Sequence, residues 1–173
     1  MPADDLRALI GQIEGSDAFA RFAAATPKRR LVHVFAQGTP GAGPAEIGYY
    51  DPTSDAITVF NVVEPIAASD AQPVFRGTEP DAPRDGLAAL CVDEITVGLE
   101  DARTRIGAMA AKEHAAHPVA QEILILQQRD GAPVWAATLL THTLRVILVQ
   151  LDARDGTVRS TESRSVLDLR AAE

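Results

Sequence analysis

The stretch PVWAATLLTHTLRVILVQLDARDGTV, residues 133–158, decides the reading of this chain. It is dense in β-branched and large apolar residues and closes on Asp155-Gly156, the dipeptide that suits a tight hairpin because glycine adopts the left-handed backbone without a Cβ penalty. Leu144 to Leu151 is interrupted only by Arg145 and Gln150, so it reads as a central strand with both faces mostly covered, since a half-exposed strand would alternate. The next strand starts at Thr157 or Val158 and fades near Ser163. Upstream, Glu122 to Gln128 is another strand and Arg129-Asp130-Gly131 its turn, with Pro133 at a strand start, where a missing N–H matters least. The expectation is a four-strand antiparallel meander.

Working outward, Thr96 is the expected N-cap of a helix that buries Leu99, Ala102, Ile106, Met109 and Ala110, with Glu113 or Ala116 as a further inward position, and that stops at Pro118. Glu100 and Asp101 fall in its first turn and Lys112 and His114 near its end, as the helix dipole favours. Leu87 to Val92 reads as a short strand or buried connector. Between Glu64 and Gly86 lie Pro65, Pro73, Pro80 and Pro83 with Gly77, which marks a linker or long excursion. At the start of the chain, Leu6, Leu9, Ile10 and Ile13 follow helical spacing, Gly15 interrupts, and Ser16 caps a second helix carrying Phe19 and Phe22 inward before Pro27. Lys28-Arg29-Arg30 reads as a solvated helix-to-strand junction. Strands are expected over Leu31–Gln37, Glu46–Tyr50 and Ala56–Val63, around a Gly/Pro loop at 38–44 and a turn at 51–55. Beyond Ser163, Val166, Leu167 and Leu169 form a last docking patch or a frayed end.

Three segments follow: a helix-plus-sheet half over 1–63, a Pro/Gly-rich linker or excursion over 64–86, and a helix-plus-four-strand half over 87–173. Landmarks recur between the halves: Pro27 and Pro118, Gly38 and Gly131, Asp51 and Asp152 are separated by 91, 93 and 101 residues, so the spacing grows by about one strand's length. This predicts an internal duplication, with three strands in the first copy and four in the second. The fold class is α+β, with helices on one face of antiparallel sheet. The second half, from Thr96 onward, resembles the PepSY family and the wider cystatin-like class, through LEDAR at Leu99–Arg103, PVW at Pro133–Trp135 and LDARDGTV at Leu151–Val158. The resemblance implies a helix packed across an antiparallel sheet, in two tandem cystatin-like halves, and a role in binding or inhibiting partners, beside peptidases or in the envelope.

Composition narrows the function classes. A chain of 173 residues that is 46% hydrophobic can bury a core, and its net charge of -8 argues against binding nucleic acid, whose phosphates it would repel. One cysteine, Cys91, cannot form an internal disulfide. No apolar run approaches the roughly 20 residues that span a bilayer. The opening Met-Pro-Ala-Asp-Asp lacks the basic start and apolar core of a signal peptide, so a cytoplasmic protein is expected.

Site candidates are weak against their structural explanations. His114 and His117, with Glu113 or Glu122, offer too few converging ligands for zinc. His142 reads as a turn residue without a nucleophile nearby, His33 as a half-buried strand residue, and Cys91 as a buried inert thiol. Asp93 and Glu94 are adjacent, so in extended chain they face opposite ways and make a poor acid–base pair. Asp51 with Asp55, and Asp152 with Asp155, supply too few oxygens for calcium and fit turn chemistry. Trp135 reads as core. The expectations are therefore no catalytic residues, no cofactor and no metal, and a binding or regulatory module that engages a protein or peptide through a sheet face or the Pro-rich loop. A homodimer would be one way to cover the second sheet face. The alternative is a small-ligand binder or small enzyme with a pocket between helix and sheet, using His33, His142 or Tyr49 and Tyr50.

Overall fold

The computed structural model describes residues 4–74 and 87–170. Two helices, α1 (Asp4–Glu14) and α2 (Asp17–Ala25), lead into strands β1 (Arg30–Gly38), β2 (Ala45–Asp51), β3 (Ala56–Asn61) and the two-residue β4 (Gln72–Pro73). A 3-10 turn (Val92–Glu94) and helix α3 (Leu99–Glu113) precede β5 (Val119–Arg129), β6 (Ala132–Thr141), β7 (Arg145–Asp152) and β8 (Val158–Ser165), and α4 (Val166–Arg170) follows. The eight strands form one antiparallel sheet in the order β4-β3-β2-β1-β5-β6-β7-β8. The first long strand of each meander therefore lies at the centre, joined over His33–Gly38 and Glu122–Gln127, and each meander runs outward to an edge.

Local chemistry accounts for the breaks. Ser16 accepts from Phe19 N and donates to Ile13 O, closing α1 and opening α2 with one hydroxyl. The hairpin turns place Asp55, Asp130, Gly131 and Gly156 at positive φ, as Asn/Asp/Gly turns require. Leu6, Ile10, Ile13 and Phe19, and Leu99, Ala102, Ile106 and Ala110 of α3, pack with Val34, Ile47, Leu124, Leu126 and Trp135 in a single core, so α1, α2 and α3 cover one face of the sheet. Phe19, Phe22, Tyr49 and Phe60 form an aromatic knot under α2, with centroids 4.9 Å apart for Phe19 and Tyr49, and the Arg29 guanidinium sits 5.3 Å from the Phe19 ring centre.

Several expectations need correction. β7 is not covered on both faces: Ile147, Val149 and Leu151 are buried, but Leu148 is exposed, because α1, α2 and α3 all pack on the other side of the sheet. Its apolar run is a buried row plus an uncovered row. Thr96 is not the cap of α3. That position belongs to Gly98, and Thr96 instead donates through its hydroxyl to Arg154 O while the Thr96 and Val97 amides donate to Ala153 O, tying the helix entrance to the β7–β8 hairpin. Residues 87–91 form neither strand nor buried connector; Leu90 is buried, but Cys91 is exposed. Glu113 and Ala116 are exposed, since the helix ends at His114. The excursion is not bare linker over its described part: Ser69 N donates to Val59 O, and β4 adds a fourth strand to the first meander. Pro80, Pro83, Gly77 and Gly86 lie outside the described residues.

Candidate binding surface

Strand alternation sorts the sheet residues into two faces. Under the helices lies the buried core. Trp135 is fully buried and donates its indole N–H to Val97 O at 2.8 Å, so the one polar atom of the ring is satisfied within the core. No group of three His, Cys, Asp or Glu side chains poised for a metal occurs among the described residues.

The opposite face is not covered by α1, α2 or α3. Cross-strand partners place Phe35, Ile125 and Ala136 in one row, and Gln37, Ile123, Thr138 and Leu148 in the next, with Leu140 and Val146 beyond them. Ile123, Leu140 and Leu148 are 40%, 38% and 36% exposed. A shallow groove of about 430 Å³ runs over β6, β7 and β8, between Ala136, Thr138 and Leu148 on one side and Ser160 and Glu162 on the other. Toward the other end of this face, His33 lies over Gly48, where an added Cβ would fall 2.3 Å from the imidazole Cε1. Burial holds the His33 imidazole below its ordinary value of 6.5, since the charged ring would lose its water there.

Two polar nodes tie the sheet to its surroundings, one on the helix side and one at the end of β7. Arg103 on α3 and Glu122 on β5, 8% and 7% exposed, pair at 2.9 Å beneath the helix layer. Arg103 also donates to Gly43 O at 2.7 Å and to Glu100 Oε1 at 2.7 Å, and Glu122 accepts from Gly41 N at 3.0 Å, so this pair clamps the β1–β2 loop. Gly43 is required there: an added Cβ would lie 2.1 Å from Gln37 O. At the far end of β7, buried Asp152 receives both guanidinium groups of Arg154 and Arg159. Hydrogen bonds from Arg154, then from Arg159, hold its carboxyl well below the usual carboxylate range against the opposing effect of burial.

The residues singled out in the sequence are scattered. Tyr49 lies under the helices and donates to Glu14 Oε1 at 3.0 Å; burial, followed by the Glu14 charge, raises its phenol. Tyr50 points to the other face and donates to Asp55. His142 sits exposed in the β6–β7 turn, and His117 Nδ1 contacts Thr143 Oγ1 at 2.7 Å. A cleft of about 360 Å³ at the end of α3 is lined mainly by Pro40, Ala110, Ala111 and Val119, beside His114, whose Nε2 is buried without a hydrogen-bond partner. His33, His142, Tyr49 and Tyr50 are thus not brought together. Asp51 and Asp155 do what turn chemistry asks, accepting from Thr53 N and Thr157 N. Asp93 and Glu94 are exposed on the 3-10 turn. Reading the sequence missed the Arg103–Glu122 clamp, whose members are 19 residues apart and joined by no motif, with only the alternation of β5, which points Glu122 inward beside Leu124 and Leu126, as a signal; it also missed the two-arginine clasp on Asp152, whose partners lie 2 and 7 residues away, because turn chemistry already accounted for that aspartate.

A solved structure with this arrangement of helices and sheet is that of a protein described as a "putative lipoprotein" from Clostridium difficile 630: 12% identity, 86% of this chain and 91% of that chain covered, TM-score 0.51. At that identity the likeness concerns the fold alone. No family model and no curated protein matches the chain. The fold defines an α+β protein with an eight-stranded antiparallel sheet and four helices among its described residues. None of those helices is long and apolar enough to cross a membrane.

Proposed function

We propose that this chain is a non-enzymatic binding module that docks a protein or peptide partner on the open face of its sheet. The observation that carries the reading is the apolar cluster Ile123, Leu140 and Leu148, exposed on the face opposite the buried helix–sheet core. Uncovered apolar side chains grouped on one face, rimmed by Gln37, Thr138, Glu162 and Arg164, have the composition of a docking surface rather than of scattered surface leucines. The Pro-rich excursion, the other docking element suggested by the sequence, lies partly outside the described residues, so the reading rests on the face. Cytoplasmic placement goes with it and has its support in the single cysteine; cell fractionation tests it.

We infer further that the two meanders are copies of one cystatin-like, PepSY-like unit. The palindromic strand order and the antiparallel β1–β5 seam support this. The check is a single-unit relative, whose homodimer should reproduce that seam.

For the binding reading, a photo-crosslinking residue placed at Leu140 should trap a partner in the source cells, whereas one placed at exposed Ala108 on α3 should not. Leu148→Arg should abolish capture while leaving the thermal midpoint within a few degrees. Adducts from α3 alone, or capture unaffected by Leu148→Arg, would refute the open face as the docking site.

A further inference from the structure

We propose that β8 is a self-pairing edge, through which two copies of this chain join their sheets into one of sixteen strands. β8 is the last strand of the sheet and is exposed along nearly its whole length. The opposite edge, β4, has two residues, one of them Pro73, which lacks an N–H, and so cannot extend a ladder.

The direction of the backbone groups on β8 follows from its pairing with β7. Arg145 to Gln150 partner Ser165 to Ser160 in one register, and Val166 N donates to Leu144 O in the same register at 2.9 Å. Even-numbered residues of β8 therefore bond to β7, and Thr161, Ser163 and Ser165 direct their N–H and C=O groups outward. Charged side chains on an edge ordinarily deter pairing. Here the charges select a register instead. Glu162 and Arg164 share the open face of the sheet, pair with each other at 2.5 Å, and are 51% and 53% exposed, free to change partners. Arg159 is already committed to Asp152.

Two β8 strands related by a two-fold axis normal to the sheet have few registers that use the outward groups. An axis at Glu162 sets Glu162 against its own copy, and an axis at Arg164 sets arginine against arginine, both repulsive. An axis at Thr161 gives neither charge a counter-charge. An axis at Ser163 sets Glu162 opposite Arg164 of the second copy and Arg164 opposite its Glu162. It also pairs Ser163 with Ser163 and Thr161 with Ser165, about six main-chain hydrogen bonds in all. This charge complementarity of the strand with itself is the reason the occupant is a second copy rather than an unrelated strand. The contact is narrow, so the dimer is weak, with a dissociation constant on the order of 0.1 mM. The proposal stands apart from the docking reading of the open face.

The test is sedimentation equilibrium of the full chain across a concentration series. Wild type should dimerise reversibly. Glu162→Arg and Arg164→Glu should each raise the dissociation constant by about tenfold or more. The double variant should restore it, and an equimolar mixture of the two single variants should form a heterodimer, an outcome no folding defect can produce. Thr161→Pro removes an outward N–H without touching the β7 ladder and should leave the protein folded and monomeric. A wild type that stays monomeric to about 1 mM, or that self-associates but is insensitive to all four variants, would overturn the proposal; so would stable binding of an unrelated strand peptide to β8 without self-association.

Discussion

Asp152 accepts five hydrogen bonds, from the amide and guanidinium of Arg154 and the guanidinium of Arg159, while itself buried. Its carboxyl is depressed below the 3.8 it has in an unfolded chain. A depressed acid contributes stability above the unfolded value and loses it as pH falls through the folded one. Denaturant titrations should therefore show stability dropping as pH falls below 3.8, and Asp152→Asn should flatten that limb while lowering stability at neutral pH. His33 has the same sign for a different cause. Its folded value lies below 6.5 because the ring is desolvated, so below pH 6.5 the unfolded chain takes up a proton that the native state refuses. Stability should slope downward from pH 6.5 toward that lower value, and His33→Gln should remove the slope. Trp135→Phe keeps most of the ring packing but leaves Val97 O buried without its donor, and should cost about 1–3 kcal/mol, read by urea unfolding.

At the scale of elements, the clamp from α3 to the β1–β2 loop fixes a helix of one meander to a hairpin of the other. Arg103→Ala strands Glu122 among apolar neighbours and releases Gly43 O, with an expected loss of about 3–5 kcal/mol. Replacing both partners, Arg103→Met with Glu122→Leu, should lose markedly less than Arg103→Ala alone, a comparison made by a double-mutant cycle. Gly43→Ala should perturb the same loop from within, by the collision with Gln37 O. Sequence periodicity exposed most elements: the Ser16 cap, the alternation of β1 and the meander after Val119 follow from local rules that the fold obeys. The start of α3 was less legible, because Thr96 has the chemistry of a cap but spends its hydroxyl on Arg154 O, a partner 58 residues away. Cys91 looked buried among Leu87, Leu90 and Val92, yet Leu90 turns into the core and Val92 packs partly buried against it while Cys91 itself stays exposed. The open face was misread for a physical reason. Leu148 and Ile123 are as apolar as core residues, and nothing in a strand's own sequence says which of its faces the helices will cover.

Over the whole molecule, one sheet and one core bind the two meanders, and the β1–β5 seam crosses the middle of both. Val34, Ala36, Leu124 and Leu126 meet across this seam, fully buried. Unfolding should accordingly be a single transition, with the calorimetric enthalpy equal to the van't Hoff value, and Leu126→Ala should lower its midpoint without splitting it. Two separable transitions would show that the meanders fold independently.

That seam also sets what would happen to a broken chain. Each meander contributes its opening strand to the joint, so severing the polypeptide between Val74 and Leu87 would leave two fragments, each with a bare, apolar central strand whose only full complement is the other. Such fragments are natural halves for a split reporter: silent apart, and restored when fused proteins bring them within reach of one another.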